Sequence, residues 1–141
     1  MNYSILVVDD SMPMRSVIKK TFRTAGYGGC EFHEAGNGRE ALDLIRDNWI
    51  DIVITDYNMP VMNGLELMCE MKKHDMAKAL PVVVISTEGS REKIDRFMEL
   101  GAAGYITKPF TPETIRDVIT RILGEGAYEE EFDNGDEDLD F

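Results

Sequence analysis

The chain has 141 residues, 43% of them hydrophobic, and a formal net charge of −12. That length and apolar content suit one globular domain with a real core, and no apolar run reaches the roughly 18 residues of a membrane helix. The acidic balance excludes the basic footprint of a nucleic-acid binder.

Met1-Asn2-Tyr3-Ser4 runs into an apolar stretch with no basic region before it, so no leader is expected and the expected compartment is the cytoplasm. Ile5-Leu6-Val7-Val8 reads as a first strand ending in Asp9-Asp10. Met14, Val17, Ile18, Phe22 and Ala25 then recur at helical spacing, with Gly26 as the stop. Phe32 to Ala35 is a weaker, more polar strand expected near an edge. Asn37 and Glu40 have the spacing of a capping box for a second helix, whose buried face would be Ala41, Leu42, Ile45 and Trp49. Asp51 leads into Ile52-Val53-Ile54-Thr55, a third strand ending in Asp56.

Pro60 and Gly64 mark a loop before a third helix carrying Leu65, Met68 and Met71. Pro81 opens the fourth strand, Val82-Val83-Val84-Ile85, which ends in Ser86. Ile94, Phe97 and Met98 give a fourth helix closed by Gly101. Gly104-Tyr105-Ile106-Thr107 is the fifth strand and ends in Lys108-Pro109. Thr111 caps the last helix, with Pro112 in its first turn; Ile115, Val118, Ile119 and Ile122 are its buried face, and Gly124 stops it. The methionines and aromatic residues of these helices are expected in the core. Cys30 and Cys69 fall in separate elements and read as reduced packing residues. His33 and His74 have no Cys or His neighbours at zinc-ligand spacing.

Nine of the acids lie between Glu125 and Phe141, a stretch without a base; without it the remaining body carries −3. Residues 1–124 are therefore expected to form the domain and residues 125–141 a flexible acidic tail. Tyr128, Phe132, Leu139 and Phe141 interrupt the acids, more large apolar groups than solvation alone requires.

Five strands alternating with five helices give a (βα)5 order, an α/β domain with right-handed crossovers and helices on both faces. Strands this apolar are buried on both faces, the habit of a parallel sheet. Ligands bind such sheets beyond the carboxyl ends of the strands, which is where Asp9, Asp10, Asp56, Ser86 and Lys108 fall. Singly, each aspartate is an ordinary turn former. Together they would repel one another and raise one another's pKa, and a hard divalent cation such as magnesium relieves that. A carboxylate beside magnesium can attack phosphorus, a lysine can hold a phosphoryl oxygen, and Ser86 can donate to another. No glycine-rich phosphate loop follows the first strand, so nucleotide and flavin-type binding are not indicated.

Val7-Val8-Asp9-Asp10-Ser11, Asp56-Tyr57-Asn58-Met59-Pro60 through Asn63-Gly64, Ser86, and Gly101-Ala102 through Gly104-Tyr105 to Lys108-Pro109-Phe110 together resemble the receiver domains of two-component response regulators, the stand-alone chemotaxis regulators of the CheY type most closely. The resemblance covers residues 3–124. It implies a flavodoxin-like, doubly wound parallel sheet of order 2-1-3-4-5. It implies Asp56 as phosphoacceptor, and Mg2+ held by Asp10, Asp56 and the Asn58 backbone carbonyl, with Asp9 acting through water. Ser86 and Lys108 would meet the phosphoryl group, Ser86 and Tyr105 would form the switch, and Asn58 and Glu88 would tune dephosphorylation. Lys108-Pro109 would be cis. Thr87 stands where the family usually has a small residue; of the two adjacent hydroxyls, strand length favours Ser86.

The implied protein is a monomeric phosphoacceptor switch rather than an enzyme, one that assists its own phosphorylation and dephosphorylation. A histidine kinase would supply the phosphoryl group. A protein target, such as a flagellar motor component, would bind the surface of helix 4, strand 5 and helix 5, with no nucleic acid or membrane involved. That surface would carry Lys93, Arg91 or Arg116, with Lys108 nearby; the acidic tail reads either as a solubilising end or, from its interspersed apolar residues, as a segment that folds back onto this surface or docks on a neighbouring molecule. The alternatives are a receiver of another relay and a haloacid dehalogenase-type magnesium phosphatase. The phosphatase pattern needs a second Asp two residues after the first; here the pair is adjacent and Met12 stands two after Asp10.

Overall fold

The computed structural model describes residues 3–87 and 90–124. Five strands, β1 (Ser4–Val8), β2 (Glu31–Ala35), β3 (Ile52–Thr55), β4 (Val82–Ser86) and β5 (Gly104–Thr107), form one parallel sheet in the order β2-β1-β3-β4-β5. Between and after them run α1 (Met12–Phe22), α2 (Gly38–Asp47), α3 (Gly64–Met71), α4 (Arg91–Glu99) and α5 (Pro112–Leu123).

Alternation along the strands divides the core. Ile5, Val7, Ile52, Ile54, Val83, Ile85 and Ile106 point to one face and pack on α1 and α5 through Ile18, Phe22, Ile115 and Ile119. Leu6, Val8, Val53, Val82 and Val84 point to the other and meet α2, α3 and α4 through Ala41, Ile45, Leu67, Met68 and Phe97. Each fully buried Ile, Leu or Phe is worth about 1.5–3 kcal/mol relative to exposure, so both layers are held by the same central strands. As expected, β2 is an edge strand with only Ala35 fully buried.

The helix ends show where local signals hold and where they shift. Asn37 caps α2 by accepting from the Glu40 N–H at 2.9 Å, but the Glu40 carboxylate accepts instead from the Gly36 N–H at 2.7 Å. A reciprocal box forms on α3, where Asn63 and Glu66 bond each other's backbone N–H. α1 does not run unbroken to Gly26. It ends at Phe22 and continues as a single π-type turn, Arg23–Tyr27, in which Gly26 takes φ 111° and so lets Ala25 and Tyr27 turn into the core. Thr111 and Pro112 open α5 and Gly124, at φ 98°, closes it, as expected.

Five expected core or packing positions are corrected, among them Met12, 65% exposed, and the exposed Cys69. Trp49 lies beyond the end of α2 and is 75% exposed, its Nε1–H donating to Asp51 Oδ1 at 2.9 Å. Val17 and Met98 are also largely exposed. Val17 and Met98 sit at the margin of their helices' apolar stripes, where helical spacing alone does not say how far the neighbouring element reaches.

Candidate functional site

Register decides what meets at the carboxyl edge of the sheet. Val8 pairs with Thr55, Thr55 with Val84, and Ser86 with Thr107. The strands therefore end nearly level, and the residues that follow them share one crevice. Backbone bonds extend the ladder past the strands: Asp56 N–H donates to Val8 O at 2.9 Å, and Lys108 N–H to Ser86 O at 2.9 Å.

One carboxylate oxygen from each of Asp9, Asp10 and Asp56 lies within 4.8 Å of the others. Asp9 is 2% exposed and held on all sides. Its N–H donates to Ala35 O, its Oδ1 accepts from the Ser11 N–H at 2.9 Å, and its Oδ2 lies 3.3 Å from Lys108 Nζ. Asp10 is exposed, with its carboxylate toward the same opening. The Asp56 side chain is only 13% exposed and stands 3.7 Å from Lys108 Nζ. Lys108 itself is 13% exposed, so its charge is committed to this cluster.

Burial pushes the Asp56 carboxyl above its ordinary range; Lys108 pulls it back, Asp9 adds to the rise, and bonds from the Tyr57 N–H and the Ser86 hydroxyl oppose it. Ser86 is fully buried while Thr87 is exposed, so of the two adjacent hydroxyls only Ser86 addresses Asp56. Tyr105, on β5, is partly buried with its ring 5.8 Å from that of Phe97. Asn58 is exposed in the loop after β3. Glu88 falls outside the described residues. The Lys108-Pro109 peptide is cis.

Three carboxylates around one opening, with a single lysine against them, are a hard-oxygen donor set short of positive charge. They fit a magnesium ion, which takes oxygen ligands and keeps several waters.

Some supporting residues leave no trace in the one-dimensional pattern. Arg15 reaches from α1 to Asp9 O at 2.6 Å and to Glu34 Oε1 at 2.9 Å, and Lys19 joins the same carboxylate. These cations hold Glu34 below the usual carboxylate range. The Arg15 guanidinium thus ties the edge strand to the peptide between Asp9 and Asp10. Gly64 has a function beyond marking a loop: a Cβ there would collide with the Asp56 carbonyl oxygen.

The loop between β3 and α3 also carries strain. Val61 sits at φ 68° although it is β-branched and 80% exposed. Left-handed backbone costs a residue with a Cβ roughly 1–2 kcal/mol, and asparagine tolerates it better. Val61→Asn is therefore expected to raise the thermal midpoint by a few degrees with the carboxylate site intact; a lowered midpoint in calorimetry would contradict this.

The sequence profile of the response regulator receiver domain matches residues 5–120. A chemotaxis protein CheY homolog of Campylobacter jejuni is 38% identical over 126 residues, spanning 89% of this chain and 95% of its own. CheY-3 of Vibrio cholerae is 37% identical over 122 residues, spanning 86% of this chain and 92% of its own. Among solved structures, Vibrio cholerae chemotaxis protein CheY4 superposes with a TM-score of 0.77 at 35% identity, covering 86% of this chain and 99% of that one. The CheX–CheY–BeF3–Mg2+ complex of Borrelia burgdorferi matches with a TM-score of 0.78 at 25% identity, covering 86% and 89%.

Proposed function

The chain belongs to the response regulator receiver domain family, among its CheY-type chemotaxis regulators, and from that premise we propose that it is a phosphoacceptor switch in a two-component pathway, most specifically chemotaxis. The observation that carries the reading is the Asp56 carboxylate, nearly buried, with Lys108 at 3.7 Å and the Asp9–Asp10 pair beside it. Asp9 shares the burial, the lysine and the neighbouring carboxylates but is held by the Ser11 N–H and by Lys108 and is 2% exposed, whereas Asp56 keeps 13% of its side chain open to the crevice.

In this reading an Asp56 carboxylate oxygen attacks phosphorus. The new O–P bond forms as the P–N bond to a histidine of the kinase breaks, and the imidazole leaves. Asp10, Asp56 and the Asn58 carbonyl would hold magnesium, with Asp9 acting through water; the ion supplies charge neutralisation between the attacking carboxylate and the phosphoryl oxygens. Lys108, already aimed at Asp56, holds one phosphoryl oxygen and relinquishes part of its contact with Asp9. The Ser86 hydroxyl turns from the carboxylate to another oxygen. That vacates space beneath Tyr105, whose ring moves inward along Phe97 and changes the surface formed by α4, β5 and α5. A protein target reads that surface, a flagellar motor component being the expected one.

No helix among the described residues is long and apolar enough to cross a membrane, and we place the protein in the cytoplasm as a monomer. It acts as a switch, with no turnover of an external substrate. The direct test is transfer from a phosphorylated chemotaxis histidine kinase. With magnesium the label should pass to this chain, and chelation should stop it; retention of the label on the kinase in both conditions would overturn the reading.

Asn58 and Glu88 lie two positions beyond Asp56 and Ser86, where they would flank a phosphoryl group and orient the attacking water. Replacing either with a bulky apolar residue is expected to lengthen the phosphorylated state several-fold. Decay followed by loss of phosphoprotein mass checks it, and wild-type decay in both variants would exclude this function for the pair.

A further inference from the structure

We propose that the acidic segment 125–141 docks in the groove between α3 and α4 of its own chain. Of the cations assigned to the surface expected from sequence to receive it, α4–β5–α5, Arg91 is exposed but faces an acid, and the others point toward other neighbours. Lys93 turns toward α3, its Nζ 4.4 Å from the centre of the Tyr57 ring and 3.2 Å from the Tyr57 hydroxyl. Arg116 donates to Ala25 O at 2.9 Å, toward the turn after α1. Arg91 faces Asp95, and Lys108 belongs to the carboxylate cluster.

The α3–α4 groove is the better match. α3 packs against α2, and α4 makes no comparably close contact with α3. The upper part of the groove is a cavity of about 320 Å3 with Leu65, Phe97 and Tyr57 as its apolar wall and Lys93, Arg96 and Glu92 as its charges. One helical turn lower a second cavity of about 130 Å3 is lined by the partly buried Leu80 and Leu100 over the buried Met68 and Met71, between Lys72 and Lys78, the latter also 3.4 Å from Asp75. Leu65 to Met68 and Phe97 to Leu100 are successive turns of the same two helices, so the cavities form one track. Four cations and one acid line it over an apolar floor.

Several cations elsewhere among the described residues are balanced or occupied. The larger cavity of about 360 Å3 beside α2 sets Asp43, Glu70 and Asp75 against Arg39, Arg46 and His74. On α1, Arg15 and Lys19 bind Glu34, and Arg23 lies over Phe32.

Residues 125–141 supply the complementary chemistry: nine acids, no base, and Tyr128, Phe132, Leu139 and Phe141 among them. The segment also begins at the correct edge. Helices return from the carboxyl edge of a parallel sheet, so α3, α4 and α5 all end at the edge opposite Asp56, and the lower mouth of the groove opens there. Seventeen residues reach at most roughly 56 Å when extended, whereas the nine residues of α4 span only about 14 Å. Exposed ion pairs are individually weak, but a tethered segment works at an effective concentration in the millimolar range. An apolar anchor with several acids therefore suffices for occupancy. Docked there, the segment covers Lys93 and Tyr57, whose N–H bonds the Asp56 carboxylate.

A nitroxide at Leu139→Cys, in the full chain with Cys30 and Cys69 replaced by alanine, tests this by paramagnetic broadening of amide signals. Amides of Leu65, Lys93, Phe97 and Leu100 should lose more than half their intensity, and those of Val17 and Lys20 on α1 should not. The effect should fade near 1 M salt, where the screening length is about 3 Å, and in Lys72→Glu/Arg96→Glu. Broadening centred on any other face, an even spread over the domain, or an effect that vanishes on dilution and so arises between molecules would each overturn the proposal.

Discussion

Asp56→Asn protein incubated with acetyl phosphate and magnesium is expected to take up no phosphoryl group, while the wild type takes up one. Asparagine keeps the shape of the side chain and removes the nucleophilic carboxylate. Intact-protein mass spectrometry reads the difference, and equal labelling of the variant would refute Asp56 as the acceptor. Misfolding is not the expected cause of the loss, because the same substitution should stabilise the metal-free protein. The Asp56 carboxyl is pushed above its ordinary value of 3.8, first by burial. A carboxyl with a raised folded pKa makes the native state bind more protons than the unfolded chain, so stability falls as pH rises through that interval. The penalty is fully present above the raised value and absent below the ordinary one. In chelator at neutral pH, Asp56→Asn should therefore melt above wild type, and acidifying through the raised carboxyl range toward the ordinary value should narrow the gap.

Magnesium is expected to raise the thermal midpoint of the wild type on the order of 10 °C at about one hundred times its Kd, where linkage contributes about 2.7 kcal/mol. The cause is electrostatic: Asp9, Asp10 and Asp56 are gathered within 4.8 Å only in the folded chain, and Lys108 offsets part of their repulsion. Asp10→Ala should flatten the response, since it removes the exposed carboxylate of the cluster without disturbing the buried Asp9. Calcium-free melts with and without chelator provide the measurement. A wild-type midpoint indifferent to magnesium would remove the ion from the mechanism, and an undiminished response in Asp10→Ala would remove Asp10 from the ligand set.

The carboxylate site could be read before any coordinates because its parts are local. Asp9, Asp56 and Ser86 each follow a run rich in apolar β-branched residues and Lys108 follows the shorter Gly104–Thr107 strand, and a sheet of such strands has one edge at which those residues must emerge. Their convergence then needs only a parallel arrangement in register. Helix existence was equally legible from spacing, and Thr111-Pro112 and Gly124 marked the bounds of α5. The Asn63–Glu66 box went unread because the glycine and proline around it dominated as loop signals, while in the similar Asn37–Glu40 pair Asn37 caps α2 but the Glu40 carboxylate serves Gly36.

By itself the sequence determined the strands, their order along the chain, the helices between them and the chemical groups at the strand ends, since these follow from periodicity and from residues adjacent to it. Only the tertiary structure decided where long side chains go. Arg15 crosses to Glu34 and to the Asp9 carbonyl, Lys93 lies on Tyr57 rather than on the α4–β5–α5 surface, and Trp49 stays in solvent beside Asp51. A long cation has several partners within reach, and an apolar residue at a stripe's margin has two environments. The choice depends on how far neighbouring elements stand from each other. The spacing of α3 from α4 is such a distance, and it leaves the cation-lined groove open.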